Sequence, residues 1–174
     1  MGDLRLGIDV SPLELTEAGT ARYLRNLLSH LDGVTVERYA VPGRSRSAKV
    51  RRDLFWYLRT LPRKAARDGV DVLHCPGHRG PQRSRVPLVV TLHDLFFLKH
   101  PELTTAEIRR DYVPLVRDHV RRADGVLTVS QHTAAEIRRL LDVPEEKLGV
   151  TLNGVDPVFR EPVSDDEVTA VLAR

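Results

Sequence analysis

Residues 89–102 read VVTLHDLFFLKHPE. Val89, Val90, Thr91 and Leu92 form an apolar, β-branched run without polar alternation, as expected of a strand covered on both faces. The run stops at His93-Asp94 and passes directly into Leu95-Phe96-Phe97. An imidazole and a carboxylate therefore stand side by side where a buried strand ends. Two readings fit the pair: polar groups at the mouth of a site, or a strand-end histidine followed by a helix-capping aspartate.

The same grammar extends in both directions. Strands are expected at Leu4–Val10, Val34–Val41, Val70–Cys75, Pro87–His93, Gly125–Ser130 and Leu148–Leu152. Helical spacing fills the intervals. Tyr23, Leu24, Leu27, Leu28 and Leu31 make one apolar stripe, and Ile108, Tyr112, Leu115, Val116, His119 and Val120 make another. Thr104 with Glu107, Thr133 with Glu136, and Ser164 with Glu167 have capping-box spacing. Strands alternating with helices give an α/β fold, a doubly wound, mostly parallel sheet with right-handed crossovers and helices on both faces. In such sheets ligands lie outside the carboxyl ends of the strands. There the sequence gathers the turn from Val10 toward Gly19, the loop His74-Cys75-Pro76-Gly77-His78-Arg79-Gly80, the pair His93-Asp94, and Ser130.

Composition narrows the class. With 174 residues, 41% apolar and 29% charged, the chain suits one soluble globular domain. The start, MGDLRLGIDV, lacks a signal-like apolar block, and Cys75 is the sole cysteine, so a reducing cytoplasm is the expected location. Charge is unevenly placed. Between Arg44 and Arg67 there are nine Lys/Arg against Asp53, while the remainder of the chain is net acidic. Such a segment suits phosphates or an anionic lipid surface, which makes the inner membrane face a candidate contact. It equally suits a solvated helix face beside Leu54, Trp56, Tyr57, Leu58 and Leu61.

Several chemistries lack their motifs. There is no G-x-G-x-x-G, no P-loop, no H-E-x-x-H and no Asp-x-Asp, and one cysteine cannot make a cysteine-based zinc cluster. The basic segment has no nucleic-acid module around it, so no nucleic-acid partner is expected.

An ordered series of segments carries a family resemblance: LRLGIDVSPL, AGTARYLRNLL, DVLHCPGHRGP, VPLVVTLHDLFFLKHPE, RRADGVLTVSQHTAAEI and VPEEKLGVTLNGVDPVFR. Together these resemble the N-terminal, acceptor-side domain of the retaining GT-B glycosyltransferases of group 1, the family 4-like enzymes. The resemblance implies a Rossmann-like domain over residues 1–156, with 157–174 beginning an interdomain connection. It further implies transfer of a sugar from a nucleotide-diphosphate donor to an acceptor hydroxyl with retained configuration and no metal or other cofactor. His93 and Asp94 would act at the reacting sugar. Gly19 and Thr20, opening the first long helix, would hold the donor diphosphate, although Ala21 stands where the family often has a second glycine. His78, Arg79, Ser130 and Asn153 are the acceptor or cleft candidates. Each has a plainer reading as well: loop glycine for Gly19, helix cap for Ser130, turn residue for Asn153.

The family's donor domain carries two glutamates eight residues apart, and no glutamate pair here has that spacing. The resemblance therefore makes a C-terminal donor-binding domain, in the same or a separate chain, the expected partner. The 174-residue chain alone is expected to fold without transferring sugar. Two other functions share these features: a nucleotide-sugar epimerase of the same architecture, and a stand-alone module for an anionic partner led by residues 44–67.

Overall fold

The computed structural model describes residues 3–15, 17–41 and 52–173. Six strands form one sheet: β1 (Arg5–Asp9), β2 (Thr35–Tyr39), β3 (Val72–Cys75), β4 (Leu88–Leu92), β5 (Gly125–Thr128) and β6 (Leu148–Val150). Each falls inside its expected run. The order is β2-β1-β3-β4-β5-β6, and every neighbouring pair is parallel. The chain reverses its direction of travel between β1 and β3, which makes the crevice outside their carboxyl ends the topological switch point.

Helices α1 (Ser11–Leu15) and α2 (Gly19–Ser29) connect β1 to β2. A π-helical stretch, Arg52–Thr60, runs into α3 (Leu61–Asp68) ahead of β3. A short α4 (Phe96–Lys99) follows β4, and a second π stretch, Ile108–Tyr112, leads into α5 (Val113–Arg122). Then α6 (Gln131–Leu141) joins β5 to β6. Local chemistry explains several of these ends. Pro62 occupies the first turn of α3, and Gly69 closes it in the left-handed region at φ 65°.

Two of the expected helix starts are displaced. Thr104 is not the cap for Glu107; its hydroxyl donates to Pro101 O in the preceding turn, and Thr105 Oγ1 accepts from Ile108 N instead. Thr133 is likewise not the start of α6. It is buried inside the first turn, and Ser130 caps the helix by accepting from Thr133 N at 3.0 Å. The Ser164–Glu167 box does form, opening α7 (Asp165–Leu172).

Side-chain alternation divides the interior into two layers. Ile8, Val10 and Leu24 pack with Leu6, Leu28 and Leu31 between α2 and the sheet. Opposite, Leu73, Leu88, Val90 and Leu92 meet Trp56, Leu61, Ala65, Val116, Val120 and Ile137. Each fully buried aliphatic side chain stabilises the fold by about 1.5–3 kcal/mol before entropy is counted. The basic helix is thus not wholly solvated: Trp56 and Leu61 are core residues, Tyr57 is half-buried, and Leu58 is exposed. The more basic stretch 44–51 lies outside the described residues. Beyond Asp156, Phe159, Val163, Val168, Val171 and Leu172 are all exposed, and none belongs to either core layer.

The second layer leaves no room at Gly7. A Cβ there would stand 2.9 Å from Tyr39 Cε2 and 3.1 Å from Val70 Cγ2. Tyr39 is buried, and its hydroxyl donates to Asp68 Oδ2 at 3.3 Å, so the ring cannot swing away freely. Gly7→Ala is expected to lower stability by about 1–3 kcal/mol through overpacking, read from the urea midpoint at unchanged slope.

Candidate functional site

The carboxyl ends of β1, β3, β4, β5 and β6 deliver Asp9, Cys75, His93, Ser130 and Asn153 in spatial order along one rim. At the switch point, Asp9 is buried as β1 ends. Its Oδ1 accepts from Ser11 N at 3.1 Å and Ser11 Oγ at 2.5 Å, and its Oδ2 accepts from Tyr57 OH at 2.8 Å. Burial pushes the carboxyl pKa up, and these donors pull against it. The Trp56 indole also bears weakly on this carboxylate, yet Nε1 makes no hydrogen bond within normal distance and angle limits.

His93 follows β4 and is half-buried. Its Nε2 lies 3.1 Å from Pro76 O. A carbonyl only accepts, so Nε2 carries the proton and a neutral ring presents Nδ1 as its acceptor. Tyr23 of α2 meets the same ring edge to face, with centroids 4.9 Å apart. This contact brings α2 against the end of β4, and Gly19 and Thr20 lie one turn before Tyr23.

Asp94 is exposed. Its Oδ1 accepts from Phe96 N at 3.0 Å, which opens the short α4, and its backbone oxygen accepts from His78 Nε2 at 3.0 Å. No hydrogen bond joins the His93 and Asp94 side chains; each binds backbone instead. His78 sits among His93, Phe97 and Tyr112, with centroid distances of 6.3, 5.5 and 6.1 Å. Arg79 stacks its guanidinium 5.4 Å from the Tyr112 ring centre. Behind the loop, buried His119 accepts from Gly80 N at 3.3 Å through Nδ1. Burial depresses the pKa of both His78 and His119, which favours these neutral, hydrogen-bonding forms.

At the opening of α2, Ala18 is the cap residue and supplies no side-chain bond, while its carbonyl accepts from Ala21 N and Arg22 N. A Cβ added at Gly19 would meet nothing within 4 Å, so the helix start is open. Backbone amides at such an end attract phosphate oxygens. Among the described residues, no three His, Cys, Asp or Glu side chains gather as a metal site would require, and no helix is long and apolar enough to cross a membrane.

The sequence profile described as Glycosyltransferase Family 4 matches residues 5–159, spanning all six strands and the whole rim. The chain belongs to glycosyltransferase family 4. No curated protein sequence matches it.

Within this family 4 domain, His78, Arg79, His93 and Asp94 come together at the carboxyl ends of β3 and β4, and Gly19 and Thr20 lie one turn before Tyr23, which touches His93. Ser130 stands one strand away, and its hydroxyl is engaged: it donates to Thr133 Oγ1 at 2.9 Å, which in turn reaches His93 O at 3.4 Å. Ser130 thus bears on His93 through the backbone. Asn153 lies two strands from His93, exposed after β6 and two residues beyond the position level with His93. Asp156, beyond it, returns to α2 in an ion pair with Arg22 at 3.2 Å.

Sequence reasoning missed two members of the rim. Tyr23 reads as part of the apolar stripe of α2, and Asp9 reads as the polar end of a strand. The only available signal for Asp9 was a carboxylate closing the apolar run of β1.

Behind the rim, His74 is buried on β3, with Nε2 2.8 Å from Thr91 Oγ1. Burial first, and then His93 nearby, depress its pKa from 6.5 to about 4. The unfolded chain therefore takes up a proton at a pH where the folded chain resists it. The stability this contributes is complete above pH 6.5 and is lost as pH falls toward about 4, on the order of 3 kcal/mol in all. Urea midpoints measured across this window should fall in the parent and fall less steeply in His74→Gln.

Proposed function

We propose that this domain is the acceptor-side half of a retaining glycosyltransferase that takes its sugar from a nucleotide-diphosphate donor without a metal. The observation that carries the reading is the Tyr23–His93 contact, which joins the helix whose amino end is open at Gly19 to the imidazole ending β4, one strand from the switch point. The amides of Gly19 and Thr20 would face the donor diphosphate, where the helix end offsets charge that builds on the leaving group. His93 holds Nε2 on Pro76 O, leaving Nδ1 to accept from a sugar or acceptor hydroxyl. Asp94 would shape the turn that presents His93, since its carboxylate is occupied by Phe96 N. His78 and Arg79, on the adjoining loop, would meet the acceptor. A second, donor-binding domain would close the crevice and grip the nucleotide. Family membership supports transfer over epimerisation as the reaction.

Transfer assays with a panel of nucleotide sugars, using protein that carries both domains, test the reading. NMR of the product's anomeric proton reports retention. His93→Ala should reduce turnover about 10²-fold or more while the melting temperature moves little. Asp94→Asn should cost less, because an amide oxygen still accepts from Phe96 N. A His93 variant that keeps full turnover, or an inverted product, overturns the assignment. The 174-residue chain by itself should bind these donors only at millimolar concentration or weaker, about −4 kcal/mol, by calorimetry.

A further inference from the structure

A second concave surface lies away from the rim. Leu58, Arg59, Pro62, Arg63, Ala66 and Arg67, from one face of the 52–68 helix, oppose Arg83, Ser84 and Arg85 across an open groove of about 880 Å³. Residues 83–85 precede the amino end of β4, and α3 descends toward the amino end of β3. The groove therefore sits toward the end of the sheet opposite His93.

Five guanidinium groups converge there. Arg67 shares its Nε with Asp68 at 2.9 Å. Among the described residues, Arg59, Arg63, Arg83 and Arg85 meet no carboxylate within ion-pair distance. Arg59, Arg63 and Arg67 follow one another at four-residue intervals, so like charges repel along one side of this helix. The loop adds two more cations instead of acids. Ser84 fixes their flanking positions, its Oγ donating to Val86 O at 2.6 Å and accepting from Val86 N at 3.1 Å. Helix and loop thus hold cations opposite one another with little internal neutralisation. Guanidinium forks match phosphate oxygens two at a time, and a groove of this size admits more than one phosphate.

We infer that this arginine groove is a binding site for a phosphate-rich anion, separate from the crevice around His93. Phe55 and Leu58 are exposed on the same helix, so the phosphates could be those of a bilayer surface or of a soluble polyphosphorylated molecule.

The test titrates the 174-residue chain with inorganic tripolyphosphate by calorimetry at low salt. In parallel, the chain is sedimented with vesicles of phosphatidylglycerol and phosphatidylcholine, with phosphatidylcholine vesicles as the reference. Arg63→Gln with Arg85→Gln should weaken binding at least about tenfold. Arg139→Gln with Arg160→Gln, the same change of charge at exposed sites elsewhere, should weaken it less than about twofold. If circular dichroism shows that the first pair disturbs folding, Arg59→Gln with Arg83→Gln serves instead. Tripolyphosphate binding that depends on the groove supports a soluble ligand. Groove-dependent vesicle binding that also falls with Leu58→Ser supports a lipid phosphate. No binding to either probe, or equal losses in the groove and control variants, overturns the proposal.

Discussion

The carboxylate of Asp9 is the hinge on which the carboxyl end of the sheet is assembled. It is buried where β1 stops, and it accepts from Ser11 N, Ser11 Oγ and Tyr57 OH. Ser11 Oγ accepts in turn from Val41 N at 3.0 Å. One acid therefore links the end of β1, the start of α1, the segment leaving β2 and the helix that carries the basic residues. A buried donor left without its acceptor costs about 1–3 kcal/mol, so removing Asp9 would loosen all four segments at once, beyond what strand pairing and core packing hold. The crevice between β1 and β3 takes its floor from this arrangement.

Imidazoles brace the other side of the crevice. His93 ties β4 to Pro76, His78 ties the loop back to Asp94, and His119 holds Gly80 from behind. Each of these bonds ends on backbone, so the histidines fix the course of the loop as much as they offer chemistry. His93 keeps Nδ1 available beyond its bond to Pro76 O, while the carboxylate of Asp94 and the half-buried Arg79 stand beside it.

Much of this was legible in the sequence because buried parallel strands announce themselves as unbroken apolar runs. The runs around Ile8, Leu73, Val90 and Val126 are fully buried at their centres, and no competing helical period disguised them. Helix starts were less legible, because capping spacing is degenerate where hydroxyls cluster. Thr104 and Thr105 both precede Glu107, and the choice fell to Thr105 once Thr104 was used by the turn at Pro101. At α6, Ser130 cut in three residues ahead of Thr133 because β5 ends early, at Thr128. The rim residues closest to motif positions, Gly19, His93 and Asp94, could be named in advance. The Tyr23–His93 contact could not, since it depends on the angle at which α2 crosses the sheet. The groove of arginines was half visible: residues 59, 63 and 67 share a helical face, but Arg83 and Arg85 join them only through the fold.

Trp56 is the only tryptophan in the chain, and it is 4% exposed at the joint between the basic helix and the end of β1. Among the described residues its Nε1 has no partner in hydrogen-bonding geometry, although it lies near the Asp9 carboxylate. An indole in such dry surroundings emits at short wavelength, and water reaching it shifts the emission to the red. The molecule thus contains its own optical gauge of whether that helix is seated on the sheet, readable without a label. Because the same helix forms one wall of the arginine groove, the gauge lies within a few turns of anything that binds there.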